Sequence, residues 1–274
     1  MSVATELRVL RLFAVFAAAR EPRRLSELAA DLKIPTSSCF ALVKQLVAEG
    51  YLYEVGERGG YYPTERLHQY TRVVSANHPV LRHLAGEMEQ IRNRTGETVM
   101  LGRRDGAQWL CLAVRESLQE IRHTGFTGRR RPLHVGAGGK ALLGGCSAEE
   151  RKEILMTGGV LSGRDLVAMG PNTLATLEAL EDDIRRSEAR GWYQSAGEGI
   201  PGSAAVAVRL HLAGVTYVLQ AAGPADRFDG AQRASAGPFM VDVARRINAT
   251  HYGEIAAEPP RVRRRAAAST GRAG

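Results

Sequence analysis

A group of hydroxyl side chains follows a proline at the start of a helical pattern, and a lysine follows two turns later. Thr36, Ser37 and Ser38 offer hydroxyl and free backbone N–H groups at a helix N-terminus, where a phosphate is readily bound. Helical spacing places Phe40 and Lys44 on the same outward face as Ser37. Proteins use such groups to bind the phosphates and base edges of duplex DNA. The chemistry that these five residues predict is therefore recognition of double-stranded DNA, with no bond made or broken.

Two short amphipathic helices and a hairpin are predicted to position this face. The first helix opens with Ser26 as its N-cap and ends before Pro35, because proline disfavours helix for the residue that precedes it. The second helix turns an apolar stripe inward, formed by Cys39, Leu42, Val43, Leu46 and Val47. A glycine-centred hairpin follows, with Arg58 at its tip, within reach of a phosphate or a narrow minor groove. This order of elements predicts a winged helix-turn-helix unit.

The charge of this N-terminal region does not by itself indicate a nucleic-acid partner. Residues 1–66 contain nine cationic and eight acidic side chains, a net charge of +1. The DNA prediction therefore depends on the helical pattern and not on a basic field. The alternative is a sensor protein whose winged-helix unit serves oligomerisation or partner docking.

Four segments in a fixed order resemble the IclR-type transcriptional regulators. Residues 34–43 resemble the Leu-Pro-x-Ser-Thr-x-x-Arg-Leu-Leu recognition segment of that family, and residues 131–143 resemble its Pro-Leu-His … Gly-Lys-Ala-Leu-Leu segment. Residues 190–208 are similar to its Arg-Gly-Tyr … Glu-Leu-x-Pro-Gly segment, and residues 223–228 to its Gly-Pro-x-x-Arg turn. One departure concerns Ala41, which stands where the family usually carries arginine. Lys44, one turn later, is expected to replace part of that contact.

The resemblance implies the fold class and the division of the chain. We expect an α+β protein in which an N-terminal winged helix-turn-helix is joined by a linker helix to a GAF-like α+β effector-binding domain. The expected boundaries are residues 1–66 for the DNA-binding domain, 67–79 for the linker helix and 80–254 for the effector-binding domain. Residues 255–274, with five arginines against one glutamate, are expected to form a disordered basic tail.

Periodicity in the C-terminal half predicts helices segregated around an antiparallel sheet, as in α+β domains. The predicted strands are residues 98–103, 109–114, 204–212 and 215–222. The predicted helices are residues 66–77, 80–94, 148–156, 173–190 and 231–252.

The resemblance also implies an effector bound between the sheet and the loops over it. Three family positions that often carry polar or acidic groups are alanines here, namely Ala196, Ala205 and Ala222, whereas Glu198 is retained. We assign these four residues, together with Ala137 and Gly138 of the glycine-rich segment, to the effector site. Because alanine cannot compensate a buried carboxylate for its lost water, we expect a less polar, aromatic or larger effector. Leu101, Leu112 and Trp109 are further apolar candidates for the lining, or else core residues.

Motifs for catalysis and cofactor binding are incomplete. In the glycine-rich segment 135–141, His134 and Ala141 stand where a Walker A loop needs glycine and a hydroxyl residue, and the dinucleotide fingerprint also fails. Gly-x-Ser-x-Gly is absent around Ser203, and no histidine pair has the spacing of metal ligands. We therefore expect no enzymatic activity, no cofactor and no bound metal.

Composition agrees with a two-domain DNA-binding protein. The chain has 274 residues, a net charge of +8 and a pI near 9.7, which suits a polyanionic partner. Three scattered cysteines indicate neither a disulfide framework nor a zinc site, and favour a reducing, cytoplasmic location. The apolar run of residues 12–19 follows Arg11 and has helical spacing, so it indicates a helix and not a signal peptide. No segment reaches the ~20 apolar residues of a membrane span.

An isolated winged unit reads only a short DNA site, and this suggests that the protein acts as an oligomer. Two-fold pairing predicts a homodimer or homotetramer on a palindromic operator. The expected partners are double-stranded DNA, a small-molecule effector and further copies of the chain. Whether the protein represses or activates depends on where its operator lies, so both remain open.

Overall fold

The computed structural model describes residues 3–56 and 59–249, and the chain divides between His78 and Pro79 into two compact units. Each unit is described by itself. The predicted linker helix lies within the first unit. Arg58 and the predicted basic tail, residues 255–274, lie outside the described residues.

The first unit contains four helices and a two-stranded hairpin in its described part. In chain order these are α1 (Val3–Ala19), α2 (Leu25–Leu32), α3 (Thr36–Ala48), β1 (Leu52–Glu54), β2 (Tyr61–Pro63) and α4 (Arg66–Ala76). Helices α2 and α3 are the predicted pair, and the hairpin follows α3 directly. The predicted winged helix-turn-helix is therefore confirmed, and the apolar run near the N-terminus lies in the helix α1.

A tight turn separates α2 from α3. Lys33 adopts the left-handed conformation at φ 55°, and the Ile34 N–H donates to the Ala29 carbonyl over 3.1 Å, which ends α2. Pro35 then stands as the N-cap of α3. The prediction that Ser26 caps α2 was wrong. The N-cap is Arg24, whose own N–H is bound by the Glu27 carboxylate at 2.8 Å.

One apolar core holds the three helices and the hairpin together. Its buried members are Leu12, Phe16, Leu28, Ala29, Leu32, Cys39, Val43, Leu46 and Leu52. The inward stripe of α3 therefore packs as its spacing predicts, with Leu42 and Val47 partly buried beside it. Because this stripe is fixed in the core, the opposite face of α3 is left to solvent.

The hairpin is joined to the helices by backbone hydrogen bonds. Tyr61 in β2 exchanges both backbone hydrogen bonds with Arg23, at 2.8 and 3.0 Å, which adds a third short segment to the wing. Gly60, at φ +93°, permits this approach, because a Cβ there would lie 2.6 Å from the Arg23 carbonyl oxygen. At the end of α3, the Thr64 hydroxyl donates to the Gly50 carbonyl over 2.7 Å, and Arg66 donates to the Glu49 carbonyl. The first turn of α4 is thereby bound to the end of α3.

The second unit contains six helices and eight strands in its described part. Its first half comprises α5 (Pro79–His83), α6 (Ala85–Thr95), β3 (Thr98–Asp105), β4 (Gln108–Arg115), β5 (Arg130–Pro132), α7 (Gly136–Gly144) and α8 (Ala148–Thr157). Its second half comprises β6 (Leu161–Ser162), β7 (Asp165–Leu166), α9 (Leu177–Arg190), β8 (Tyr193–Ala196), β9 (Ser203–Leu212), β10 (Val215–Pro224) and α10 (Gly230–Ala249).

A six-stranded antiparallel sheet forms the centre of this unit, in the order β5-β4-β3-β10-β9-β8. Its two faces have separate apolar cores. One core packs the sheet against α5, α6 and α10, and the other packs it against α7, α8 and α9. Strand alternation decides which core each side chain enters: Val206 and Val208 face α10, whereas Ala205 and Ala207 face α7. The predicted α+β class is confirmed.

Several elements differ from the sequence-based expectation. The helix predicted over residues 80–94 is divided at Leu84 into α5 and α6, and α9 begins at Leu177 and not at residue 173. The glycine-rich segment, for which no helix was predicted, forms α7. Strands β5 and β8 were also not predicted, and they form the two edges of the large sheet. Within the described residues, the helices are all too short or too polar to cross a membrane.

Candidate DNA-binding face and effector cavity

The outward face of α3 carries the predicted DNA contacts. Thr36, Ser37, Ser38 and Lys44 are exposed, and the Phe40 side chain is 49% exposed. A half-exposed phenylalanine among polar residues costs solvation free energy, and a groove or a partner surface would recover it. The structure therefore brings these five residues together on one solvent-facing surface, which we call the α3 face.

The N-terminus of α3 has no side-chain cap. Pro35 is the N-cap residue and supplies no side-chain acceptor, while its carbonyl receives the Cys39 N–H at 3.0 Å. The N–H groups of the first turn thus remain directed outward, with the positive end of the helix dipole behind them. This arrangement suits a phosphate oxygen next to the hydroxyl group of Thr36.

Ala41 and Gln45 lie on the same side of α3 and are both exposed. Ala41 offers only a methyl group where the resembled family has arginine. Gln45 was not among the predicted contacts, although its amide is a group that binds adenine edges in the major groove. The sequence signal for Gln45 as a DNA contact was its spacing, because it follows Ala41 by about one helical turn and so lies on the same face. The remaining predicted contact, Arg58, lies outside the described residues, so the structure does not place it.

A cavity lies in the second unit between the sheet, the N-terminus of α7 and the loop that joins β4 to β5. It has a volume of about 50 Å³. Its lining combines apolar side chains with ionisable and hydroxyl groups, and the residues that matter below are Met100, Trp109, His123, Phe126, Arg129, Arg131, Ser195, Glu198, Ser203, Ala205, Gln220 and Ala222. At ~10–15 Å³ for each water, the cavity has room for only a few water molecules.

Three side chains bind the first three N–H groups of α7. Gly136 donates to Glu198 Oε2 at 2.9 Å, Ala137 to Ser195 Oγ at 3.1 Å, and Gly138 to Gln220 Oε1 at 2.7 Å. The glycines permit this close approach, because a Cβ on residue 138 would lie 2.7 Å from the Gln220 oxygen. The glycine-rich segment is thus a helix N-terminus bound by the chain's own side chains.

A buried lysine holds Glu198 in this position. Lys140 is 1% exposed, and its Nζ lies 2.5 Å from Glu198 Oε1 and 2.7 Å from Asp183 Oδ2 on α9. Burial raises the pKa of the Glu198 carboxyl above its usual value, and the Lys140 ammonium and the Gly136 N–H offset part of that rise. The group links α7, α9 and the loop after β8.

Not every residue assigned to the effector site lies at the cavity. Ala205, Ala222 and Glu198 line it, whereas Ala137 and Gly138 lie behind its wall with their N–H groups already bound. Ala196 packs on the opposite face of the sheet, with the α10 core. Because side chains alternate along β8, the neighbouring Ser195 reaches the cavity in place of Ala196.

The same alternation separates the three apolar candidates for the lining. Trp109 reaches the cavity, but Leu101 and Leu112 face the α6 and α10 side of the sheet. Gly102 lies opposite the indole ring of Trp109, where a Cβ would approach Nε1 to 2.4 Å. The aromatic wall of the cavity therefore depends on this glycine.

Three basic residues of the cavity were not predicted from the sequence. His123, Arg129 and Arg131 come from the loop between β4 and β5 and from β5 itself. Burial, together with the Arg131 and Arg129 charges, lowers the pKa of His123 to about 4, so the imidazole is neutral near pH 7. The only signal in the sequence was the run of three arginines at residues 129–131, which resembles a solvated basic surface.

Hydrogen bonds attach the loop over the cavity to the sheet. The Thr98 hydroxyl donates to the His123 carbonyl over 2.6 Å, and Ser203 Oγ lies 3.2 Å from His123 Nδ1. Arg227, in a bidentate pair with the buried Glu97, also donates to the Ile121 carbonyl over 3.0 Å. In the part of the chain that the structure describes, no cluster of metal-binding side chains is found.

Two family models cover most of the chain. Residues 7–56 match the IclR helix-turn-helix domain, and residues 72–249 match the C-terminal domain of the bacterial transcriptional regulator IclR. The HTH-type transcriptional repressor AllR of Escherichia coli K12 is 25% identical over 226 residues, which are 82% of this chain and 81% of that protein. These findings confirm the resemblance drawn from the sequence, and they describe a regulator and not an enzyme.

Solved structures have a similar fold. The IclR transcriptional regulator from Alicyclobacillus acidocaldarius has a TM-score of 0.71 at 19% identity, over 93% of this chain and 100% of that one. An IclR homolog from Microbacterium hydrocarbonoxydans, complexed with 4-hydroxybenzoate, has a TM-score of 0.65 at 21% identity, over 88% of this chain and 94% of that one. At these identities the likeness concerns the fold.

Proposed function

We propose that this chain, which belongs to the IclR family of bacterial transcriptional regulators, binds its operator through the α3 face and releases or tightens it when a small molecule enters the cavity of the second unit. The observation that carries this proposal is the exposed, uncapped N-terminus of α3 with hydroxyl groups, Phe40 and Lys44 on one face. The site of action is the cytoplasm, where a bacterial chromosome lies.

The DNA contacts divide into two groups by their chemistry. Ser37, Ser38, Phe40 and Lys44 contact base edges in the major groove, where a recognition helix places its N-terminal half. Thr36 and Arg58 bind phosphates and fix the register of the helix on the duplex. Arg58 belongs to this proposal through its place in the hairpin sequence alone.

We further propose that the protein acts as a homodimer or homotetramer on a palindromic operator. A single α3 reads only a few base pairs, and two-fold pairing supplies the second half-site. The boundaries proposed for the parts are residues 1–66 for DNA binding, 67–79 for the linker, 80–254 for effector binding and 255–274 for a basic tail. Whether the outcome is repression or activation depends on where the operator lies relative to its promoter.

The proposed effector is a weakly polar or aromatic small molecule. Trp109 and Met100 supply apolar walls, and Ala205 and Ala222 add methyl groups from the sheet. The homolog complexed with 4-hydroxybenzoate supports an aromatic ligand in this fold. Because the cavity is only about 50 Å³, a ring-sized effector requires outward movement of the loop that carries His123 and Phe126. An effector shifts the DNA-binding equilibrium only if it binds one arrangement of the paired DNA-binding units more tightly than another.

Binding of the purified full chain to the DNA upstream of its own gene tests the function. Fluorescence anisotropy over a series of salt concentrations measures both the affinity and the number of phosphate contacts. Lys44→Ala is expected to weaken binding by ~1 kcal/mol or more, because Lys44 contacts base edges in the major groove. Lys152→Ala is the matched control, because Lys152 is an exposed lysine on α8 in the other unit.

The outcomes separate the proposal from its alternative. Specific binding that Lys44→Ala weakens and Lys152→Ala leaves unchanged supports DNA recognition by α3. Failure to bind any fragment from the genome, with an intact oligomer in solution, supports a winged unit that serves oligomerisation or partner docking.

A further inference from the structure

Phe40 is the large apolar side chain of the α3 face, and packing within the chain does not account for its position. About half of its surface is open to solvent. Among the described residues of the first unit, it belongs neither to the buried core nor to the partly buried side chains packed against that core, whereas Cys39 and Val43 are core members. An exposed ring loses free energy of solvation that a covering surface would recover. The ring is therefore available to a surface from outside the chain.

The other half-exposed aromatic side chains of the first unit differ from Phe40 in chemistry and in contacts. Tyr53 on β1 packs edge-on against Tyr62, with the ring centroids 6.3 Å apart. The Tyr70 hydroxyl on α4 lies 3.3 Å from Arg66 Nε. Phe40 has no hydroxyl, and within residues 3–56 and 59–249 it pairs with no other ring. It is suited to an apolar group and not to a phosphate oxygen.

The composition of α3 restricts the bases that it can recognise. The helix contains one charged side chain, Lys44, and neither an arginine nor a carboxylate. In the major groove, arginine makes the commonest contact with guanine, and carboxylates accept from the amino group of cytosine. Thymine presents a C5-methyl group there, the apolar group that sets it apart from the other bases. On α3, Gln45 suits adenine and Phe40 suits the thymine methyl group.

Helical spacing places Phe40 where it can reach a base. It follows Thr36 by about one turn and precedes Lys44 by about one turn, so the three side chains lie along one side of the α3 face. With a phosphate at Thr36, the next turn of a recognition helix lies about 5.4 Å further along its axis, over the base edges. The order along this side is therefore a phosphate contact, an apolar contact and a cationic contact.

We propose that Phe40 determines operator specificity by covering the C5-methyl group of one thymine in each half-site. The inference rests on the proposed function, in which α3 enters the major groove. Contact with the methyl group removes apolar surface of both the ring and the base from water, and no hydrogen bond is needed. Two-fold pairing of the chain then requires a thymine at the same place in both halves of the operator.

The test removes the methyl group from the DNA and the ring from the protein. An operator fragment, located by footprinting the DNA upstream of the protein's own gene, is synthesised with uracil in place of one symmetry-related pair of thymines at a time. Uracil keeps every hydrogen-bonding group of thymine and lacks only the methyl group. Fluorescence anisotropy at constant salt measures the affinity of the full-length natural protein, Phe40→Ala and Lys44→Ala. Met156→Ala is the matched control, because Met156 is an exposed apolar residue on α8 in the other unit.

One pair of uracils is expected to weaken binding of the natural protein by about fourfold for each half-site, or roughly fifteenfold for the pair, since each replacement exposes the equivalent of one buried methyl group. Phe40→Ala is expected to weaken binding to the natural operator at least as much, and to bind the uracil operator no less tightly than the natural one. Lys44→Ala and Met156→Ala are expected to keep the full effect of uracil.

A second substitution in the DNA restores the methyl group without the thymine. Cytosine at the same two positions, each paired with guanine, is expected to weaken binding, and 5-methylcytosine is expected to recover at least threefold of that loss for the natural protein. Phe40→Ala is expected to bind both operators equally. Recovery by Phe40→Ala as large as that of the natural protein would overturn the role of the ring.

Failure of the inference and failure of the proposed function give different results. If uracil at every thymine pair leaves the affinity unchanged, or if Phe40→Ala keeps the uracil effect, the inference is overturned while DNA binding stands. If sedimentation shows that Phe40→Ala dissociates the oligomer, Phe40 packs against a second copy, and the inference is overturned as well. If the natural protein binds no genomic fragment, the proposed function itself fails.

Discussion

The backbone N–H of Gly136 donates to Oε2 of Glu198 over 2.9 Å, so a carboxylate of the chain itself occupies the N-terminus of α7. Lys140 neutralises that carboxylate from the other side, at 2.5 Å. The N-terminus of α7 is therefore occupied by a charge pair of the chain itself, whereas across the cavity Arg131 Nη2 is buried without a hydrogen-bond partner. The charge pair links α7 to the loop after β8, and we expect it to stabilise the second unit.

Loss of the buried lysine is expected to destabilise the protein strongly. Lys140→Met leaves Glu198 buried without a cation and leaves Asp183 with Arg186 alone, at 3.5 Å, and we expect a loss of about 3–5 kcal/mol in the free energy of unfolding. Urea denaturation measures the change. Arg185→Met, which breaks an exposed pair with Asp182, is the control and is expected to cost at most about 1 kcal/mol. Equal effects of the two substitutions would contradict the compensating role of Lys140.

Two glycine-to-alanine substitutions in helices are expected to have opposite effects. At Gly139 in α7 a Cβ would lie 2.5 Å from the Leu133 carbonyl oxygen, so Gly139→Ala is expected to cost ~1–3 kcal/mol of stability. At Gly86 in α6 a Cβ would meet no atom within 4 Å, so Gly86→Ala is expected to add ~0.5–1 kcal/mol. Thermal unfolding of the two variants checks the pair. A Gly139→Ala protein as stable as the natural one would show that α7 can move away from β5.

Protonation of His123 is expected to make the second unit sensitive to mild acid. The folded protein holds the pKa of His123 at about 4, below the ordinary value of 6.5, so the unfolded chain binds a proton first as the pH falls. The neutral imidazole makes its full contribution to the free energy of unfolding above pH 6.5. That contribution, on the order of 3 kcal/mol, is lost as the pH falls toward 4. His123→Gln removes this dependence. The difference in unfolding free energy between the two proteins, followed from pH 7.5 to 4, is the measurement, and a constant difference would contradict a buried neutral histidine.

An arginine at position 41 is expected to strengthen DNA binding. Ala41 is exposed on the α3 face, where the family usually carries arginine, so Ala41→Arg restores a phosphate or base contact. We expect the free energy of DNA binding to become more favourable by ~1 kcal/mol. We also expect the slope of log K against log salt concentration to become steeper by about 1, because one more counterion is released. Ala234→Arg, on an exposed position of α10, adds the same charge elsewhere and is expected to change neither quantity. Equal gains from both variants would indicate a nonspecific effect of net charge.

The winged helix-turn-helix was predictable because its signals are local. Pro35 interrupts the helical pattern, and the stripe that includes Cys39 and Val43 has the period of a helix packed on one side. The helix α7 was not predictable in the same way, because glycine disfavours helix and the groups that bind its N–H ends come from distant residues. Glu198 and Gln220 follow Gly136 and Gly138 by 62 and 82 residues. Only the folded sheet brings them together.

The effector site shows where reasoning from motif offsets fails. Ala196 was assigned by its distance from Glu198, but a strand alternates its side chains, and the step of one residue exchanges Ala196 for Ser195 at the cavity. Arg131 escaped notice because three successive arginines look uniform in the sequence. The pairing of β5 with β4 gives them different surroundings, with Arg130 on the surface and Arg131 inside.

A cleavage reagent tethered to α3 tests the DNA-binding account most directly. Ser38→Cys places a reactive thiol at the exposed N-terminus of α3. Of the natural cysteines, Cys39 and Cys111 are buried, whereas Cys146 is partly exposed. The natural protein, treated with the same reagent, is the control for labelling at Cys146. An iron chelate attached there is expected to cut operator DNA within the major groove at two sites related by two-fold symmetry. Two results would contradict insertion of α3 into the groove. In one, the complex forms but the DNA is not cut. In the other, the labelled variant cuts the DNA in the same pattern as the treated natural protein.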